Sequence, residues 1–138
     1  MIAECAQDLL TKVQSIPALA SSTGLAIGGV LPDPGATKIA LPAAWILHKK
    51  AKNTRDGAPN IALPSTVVQA LLTYVVALYV PTSNQIATQL PLMQSVLKAI
   101  HGTTGPSGQR WYWESHDLAS FNVDRMIFPM FFSINAAF

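Results

Sequence analysis

Ser115-His116-Asp117 is the stretch whose residue types come closest to reactive chemistry. A serine nucleophile needs a histidine base and an acid that orients it, with the three side chains converging from separate places. Here the three are consecutive. Neighbours on a strand point to opposite faces, so the trio does not work as a local unit. His48, His101 and His116 have no metal-ligand spacing, and Cys5 is the only cysteine, so no zinc site is supported. One cysteine excludes an internal disulfide, and Cys5 reads as a small buried hydrophobe. Gly102 to Gly108 lacks the Gly-Lys-Ser/Thr ending of a phosphate-binding loop. Glu114, Asp117 and Asp124 are too scattered to name an acid–base pair. The expectation is a protein that is not an enzyme and carries no cofactor or metal.

The strongest charge feature is His48, Lys49, Lys50, Lys52 and Arg55, which holds four of the nine Lys and Arg residues. It reads as a solvated hairpin tip, or as a docking surface for an acidic protein partner or for DNA passing nearby. Trp111, Tyr112 and Trp113 have the types of a stacking platform for nucleic-acid bases. No basic stripe surrounds them, so core or interface packing is the expectation for Trp111 and Trp113. A formal net charge of +2 is too small to imply a general nucleic-acid binder.

The elements that must position these residues follow from composition and periodicity. A length of 138 residues fits one domain, 1–138, able to bury a core without disulfides or metals. Hydrophobic residues make up 50% and charged residues only 12%. That excess of apolar surface points to a subunit interface. Glu4 and Asp8 stand where an export signal would be basic and then apolar, so synthesis and use in a cytoplasm are expected.

Ile2, Cys5, Leu9, Val13 and Ile16 repeat at helical steps, and Pro17 stops that helix. Gly24 to Leu31 is a short strand candidate. Leu41 to Lys50 is a stronger one, with Ala44, Ile46 and His48 on one face and Ala43, Trp45, Leu47 and Lys49 on the other. Lys50 to Pro64 is a polar connection, expected to form the tip of a long hairpin.

Thr66 to Val80 organises the rest. With period two, Val68, Ala70, Leu72, Tyr74, Val76, Leu78 and Val80 make a wholly apolar face, while the opposite face is mixed and expected to be only partly covered. A helix would place Gln69 and Thr73 together, but β-branched density favours the strand. A spanning helix needs about 20 apolar residues, and Pro64 and Pro81 bracket this run too tightly. So long a strand calls for a bulge, a bend or a projecting arm.

Ile86, Leu90, Met93, Val96, Leu97 and Ile100 define a second amphipathic helix. Pro91 either kinks it or marks its first turn, and Gly102 stops it. Leu72 and Val76 are expected beneath Met93 and Leu97. Trp111 to His116 and Asp124 to Ile134 read as closing strands, with Pro129 demoting part of the latter to an edge or bulge. The fold class is α+β: a mainly antiparallel sheet with a long β-hairpin, and helices packed on one face.

Leu41-Pro42-Ala43-Ala44-Trp45-Ile46-Leu47, a polar loop, then Val68-Gln69 through Tyr74-Val75-Val76-Ala77-Leu78-Tyr79-Val80 resemble small tail proteins of long-tailed bacteriophages. The likeness is to the tail-terminator or tail-completion family of Mu-like and lambda-like phages. The opening Met1-Ile2-Ala3-Glu4 helix, the helix ending at His101-Gly102 and the aromatic C-terminal strands fit the same pattern. Gly24 to Ala40 matches nothing in it, and Phe131-Phe132 is richer in aromatics than the pattern. The resemblance implies a virion protein, assembled in the host cytoplasm. Six copies would form a ring on the tail tube, with the tube protein and head–tail connector proteins as partners, no membrane, and DNA only as passing cargo. In that setting Lys49, Lys50, Lys52 and Arg55 are expected to engage an acidic surface of the tail or head–tail joint. Another tail or neck component, or a small nucleic-acid-binding accessory protein, is the alternative.

Overall fold

The computed structural model describes residues 1–26, 41–54, 67–81, 88–117, 120–121 and 125–138. The element order is α1 (Ile2–Gln14), a 3-10 turn (Pro17–Leu19), β1 (Thr23–Leu25), β2 (Ala43–Asn53), β3 (Gln69–Pro81), α2 (Leu90–Ile100), β4 (Tyr112–His116), β5 (Ser120–Phe121) and β6 (Arg125–Ala137). The strands form one sheet in the order β1-β2-β3-β6-β4, with β5 also pairing with β6. β1 runs parallel to β2 and every other pairing is antiparallel. The architecture is α+β, with both helices on one side of the sheet.

Each helix forms because its apolar residues recur on one stripe. α1 buries Cys5, Leu9 and Val13, and has Glu4 in its first turn and Lys12 in its last, as the helix dipole favours. It ends two residues before Ile16, and Pro17 opens the 3-10 turn. α2 buries Leu92, Met93, Val96 and Ile100. Pro91 lies in its first turn, where the missing N–H breaks no intrahelical bond. Gly102 terminates it at φ 76°, a backbone region that suits glycine. Gln89, fully buried before α2, donates to the Pro81 carbonyl and approaches Met126 Sδ at 3.6 Å. This side chain ties the start of the helix to the ends of β3 and β6.

The main core lies between helices and sheet. Leu72, Val76 and Met93 are buried in one cluster with Tyr74, Leu78, Trp111, Phe128, Met130, Phe132 and Ile134, and Leu97 packs against it half-buried. The expected inward face of β3 is therefore the observed one.

Four expectations need correction. First, the other face of β3 is also covered: Thr73, Val75, Ala77 and Tyr79 are all buried, and the last three cluster with Ala43 and Ile127. β3 sits between β2 and β6, and central strands are commonly covered on both faces. Second, β6 is no edge strand. It lies between β3 and β4, and its Pro129 pairs with Ala77. The Pro129 carbonyl accepts from the Asp117 amide at 3.1 Å, so its own nitrogen also points to the β4 side. There β4 has ended at His116 and β5 begins at Ser120, so no strand partner needs the missing N–H.

Third, β3 pairs with β6 without a break along all thirteen residues, and the irregularity lies in its other neighbour, between His48 and Lys50 of β2. Fourth, Lys50 and Lys52 belong to strand β2, while Arg55 and the rest of the expected hairpin connection, 55–66, lie outside the described residues. The portion of the Gly24–Leu31 candidate beyond Ala26, with Ile86, Asp124 and the capping stretch 82–84, lies outside them as well. No helix among the described residues is long and apolar enough to cross a membrane.

Candidate functional site

Strict alternation along β2 would send Lys49 to the helix-free face and Lys50 and Lys52 to the helix face. The bulge changes that. His48 pairs with Tyr74, a helix-face residue, while Lys50 pairs with Thr73 and Lys52 with Leu71, both on the opposite face. One extra residue, Lys49, has been inserted, and the parity of everything after it is reversed. Lys49 reaches across the same helix-free face, with its ammonium 4.3 Å from the centroid of the Phe131 ring on β6. Such a contact is worth about 0.5–1 kcal/mol at an exposed site. All three lysines are thereby gathered on one exposed surface. None forms an ion pair with another described residue.

His48 does not extend this basic surface. Its ring lies on the helix side, 4.9 Å from that of Tyr74, and burial holds its pKa below the ordinary value of 6.5. It is neutral at pH 7 for that reason. The positive charge on described β2 comes from Lys49, Lys50 and Lys52 alone.

The opposite border of the sheet is β4, and all five of its residues are exposed. Tyr112 pairs with Ser133 and Trp113 with Phe132, so these two rings leave opposite faces. Trp111, just before them, is different. It is fully buried in the core, and its indole Nε1–H donates to Asp8 Oδ2 at 2.8 Å. Lys12 holds the same carboxylate at 2.9 and 2.8 Å and donates to the Thr104 carbonyl at 3.1 Å. Asp8 and Lys12 are one helical turn apart, so α1 presents both to the loop before β4. Gly105 closes that loop against Trp111. A Cβ there would collide with Ile134 Cδ1 and lie 3.2 Å from Trp111 Nε1.

Trp113 departs from expectation, since it is 38% exposed at the sheet edge instead of packed in the core. Its ring stacks on His116 at 5.5 Å and 20°, and its backbone N–H donates to His101 Nδ1 at 3.0 Å. His101, directly after α2, thus occupies an outward-facing donor of the edge strand. Leu97, Lys98, His101 and Trp113 line a shallow depression there.

The Ser115-His116-Asp117 trio does not converge. Ser115 pairs with Phe131 on the helix-free side and His116 with Met130 on the helix side. His48, His101 and His116 occupy β2, the end of α2 and β4, respectively. Of the named docking residues, Lys49, Lys50 and Lys52 are brought together. The Asp8–Trp111 bond was not foreseen. Its only signal in the sequence is the Asp8/Lys12 spacing, which says nothing about a tryptophan 103 residues away. No protein-family model matches the chain, and no curated protein matches it.

Proposed function

We propose that copies of this chain close into a ring on a finished bacteriophage tail tube, stop its growth and present the surface to which the head is joined. The reading places the protein in the virion tail, assembled in the host cytoplasm. Its partners are further copies of itself, the tail tube protein and the head–tail connector proteins, with DNA only as passing cargo. The observation that carries it is the long β2–β3 hairpin, whose bulge gathers Lys49, Lys50 and Lys52 on the helix-free face where no core contact requires them. An exposed cluster of one sign suits recognition of an acidic neighbour in an assembly, acting on encounter and register more than on affinity. The α+β fold with both helices on one side agrees with the tail-terminator resemblance of the sequence.

The test is to mix folded protein with uncapped tails and measure tail length and head joining. Wild type is expected to hold tails at a defined length and support joining. Changing Lys49, Lys50 and Lys52 together to Glu is expected to weaken both while leaving the fold intact. Rising salt should weaken the wild-type interaction, since screening acts within about 10 Å at 0.1 M. Tails that grow on unchanged in the presence of wild type would remove the capping reading. Because the same lysines could meet phosphates, a salt-dependent shift on duplex DNA would instead favour a nucleic-acid accessory protein.

A further inference from the structure

The two borders of the sheet carry opposite charge. On the β1–β2 side, every charged residue described from 41 to 54 is a lysine: Lys49, Lys50 and Lys52. On the β4 side, Glu114 lies in the strand and Asp117 directly after it, both exposed. Arg110 precedes β4 and donates to the Gly102 carbonyl at 2.8 Å. Each border also exposes large apolar groups, Leu25 on β1 at 40%, and Tyr112 and Trp113 on β4 at 49% and 38%. Beyond Ile46, β2 has no partner among the described residues on the side away from β3, and β4 has none on the side away from β6.

From this we infer that the acidic neighbour of the lysines is a second copy of this chain, with the β2 border of one copy set against the β4 border of the next. The inference rests on the ring reading and specifies its subunit contact. Charge decides which borders meet. Two β2 borders facing each other would oppose lysine to lysine, and two β4 borders would oppose Glu114 and Asp117 to themselves. Like-charge contacts of this kind are disfavoured, so the symmetric, self-complementary pairings lose. The unlike pairing joins two different patches, which is a heterologous contact, and heterologous contacts propagate into rings when the rotation closes.

The contact is led by side chains. A bare edge strand invites backbone pairing with any other strand. Here His101 Nδ1 already takes the Trp113 N–H, which blocks continuous ladder formation along β4. The bulge at Lys49 interrupts β2 in the same way. Both borders are thus poor templates for indiscriminate strand addition. They leave specificity to Lys50 and Lys52 on one side and Glu114 and Asp117 on the other, with Tyr112, Trp113 and Leu25 supplying apolar area.

Charge reversal tests this directly. One variant carries Lys50→Glu and Lys52→Glu, and a second carries Glu114→Lys and Asp117→Lys. Sedimentation velocity over a concentration series reads association, and circular dichroism checks folding. Wild type is expected to self-associate, and each variant alone to associate at least about tenfold more weakly. Mixed in equal amounts, the two variants are expected to recover association, because every β2–β4 contact between unlike copies is again complementary. A single chain with all four reversals is expected to recover it too. If wild type associates but the reversals leave it unchanged, this contact is wrong while the ring reading stands on its apolar surfaces. If wild type remains monomeric throughout, the inference falls, and tail-length control by the same sample decides the ring reading separately. Loss in both variants without recovery in the mixture would show that the charges meet some other partner, and would also overturn it.

Discussion

Tyr74 shows how much one side chain of the central strand is asked to do. Its ring is fully buried, stands 5.5 Å from Trp111 and 4.9 Å from His48, and its hydroxyl donates to the Ile2 carbonyl at 2.7 Å. That bond fixes the start of α1 on the sheet, as the Asp8–Trp111 bond fixes its second turn. Burial, reinforced by the nearby Cys5, pushes the Tyr74 phenol above its ordinary value of 10.0. Burial also raises the Cys5 thiol above 9.0. In alkali the unfolded chain therefore releases protons that the native protein keeps. Stability from these groups is full below their ordinary values and declines as pH rises above them. Melting temperature should accordingly fall between about pH 9 and pH 11. Tyr74→Phe removes one of the two groups and one hydrogen bond, at a cost of about 0.5–1.5 kcal/mol near neutrality. Its melting temperature should fall less steeply with pH than that of wild type. Parallel slopes for the two proteins would show that Tyr74 titration is not coupled to folding.

Among the elements, β3 is where periodicity and packing agree best. Leu72 is fully buried in the main core, in the cluster that includes Met93 and Val96 of α2. Leu72→Ala should destabilise the protein by about 2–5 kcal/mol, the range for a leucine deletion that leaves a cavity. Denaturant unfolding would read this, and an unchanged midpoint would mean that the opposite face of β3 carries the core. The faces of β3, the two helices and the alternating aromatics of β6 were legible because apolar spacing reports directly on which side is buried. The order of strands was not, since Pro129 looked like an edge signal. Its tolerance depends on a gap between β4 and β5 that only the three-dimensional pairing reveals. The placement of the lysines was illegible for a related reason. A single inserted residue reverses strand parity, and nothing in His48-Lys49-Lys50 marks which residue is extra. Trp111 and Trp113 differ by two positions and share a residue type, yet only one is core. The difference comes from Asp8, which offers Trp111 a buried acceptor, and from the edge position of β4.

At the scale of the molecule, stability and availability for contact run in opposite directions across the sheet. The middle is occupied by β3 and β6, paired along thirteen residues, and from Leu72 to Val80 every β3 residue is buried. The borders differ. β1 has three residues, β2 is exposed from Lys49 to Asn53, and β4 is exposed throughout. Amides that open only when the core comes apart exchange at the rate of global unfolding, whereas exposed edges open locally at lower cost. Hydrogen exchange of the isolated protein should therefore leave Leu72 to Val80 protected longest. Tyr112 to His116 should exchange faster by at least about tenfold, equivalent to about 1.4 kcal/mol of local stability. The Trp113 amide, held by His101 Nδ1, should be slower than its neighbours in β4. Replacing His101 with Ala should abolish that difference without altering the exchange of β3. Uniform protection across β3 and β4 in the isolated protein would mean that the sheet opens only as one unit. The border would then be no softer than the centre, and contact at β4 would have to be made on a rigid surface.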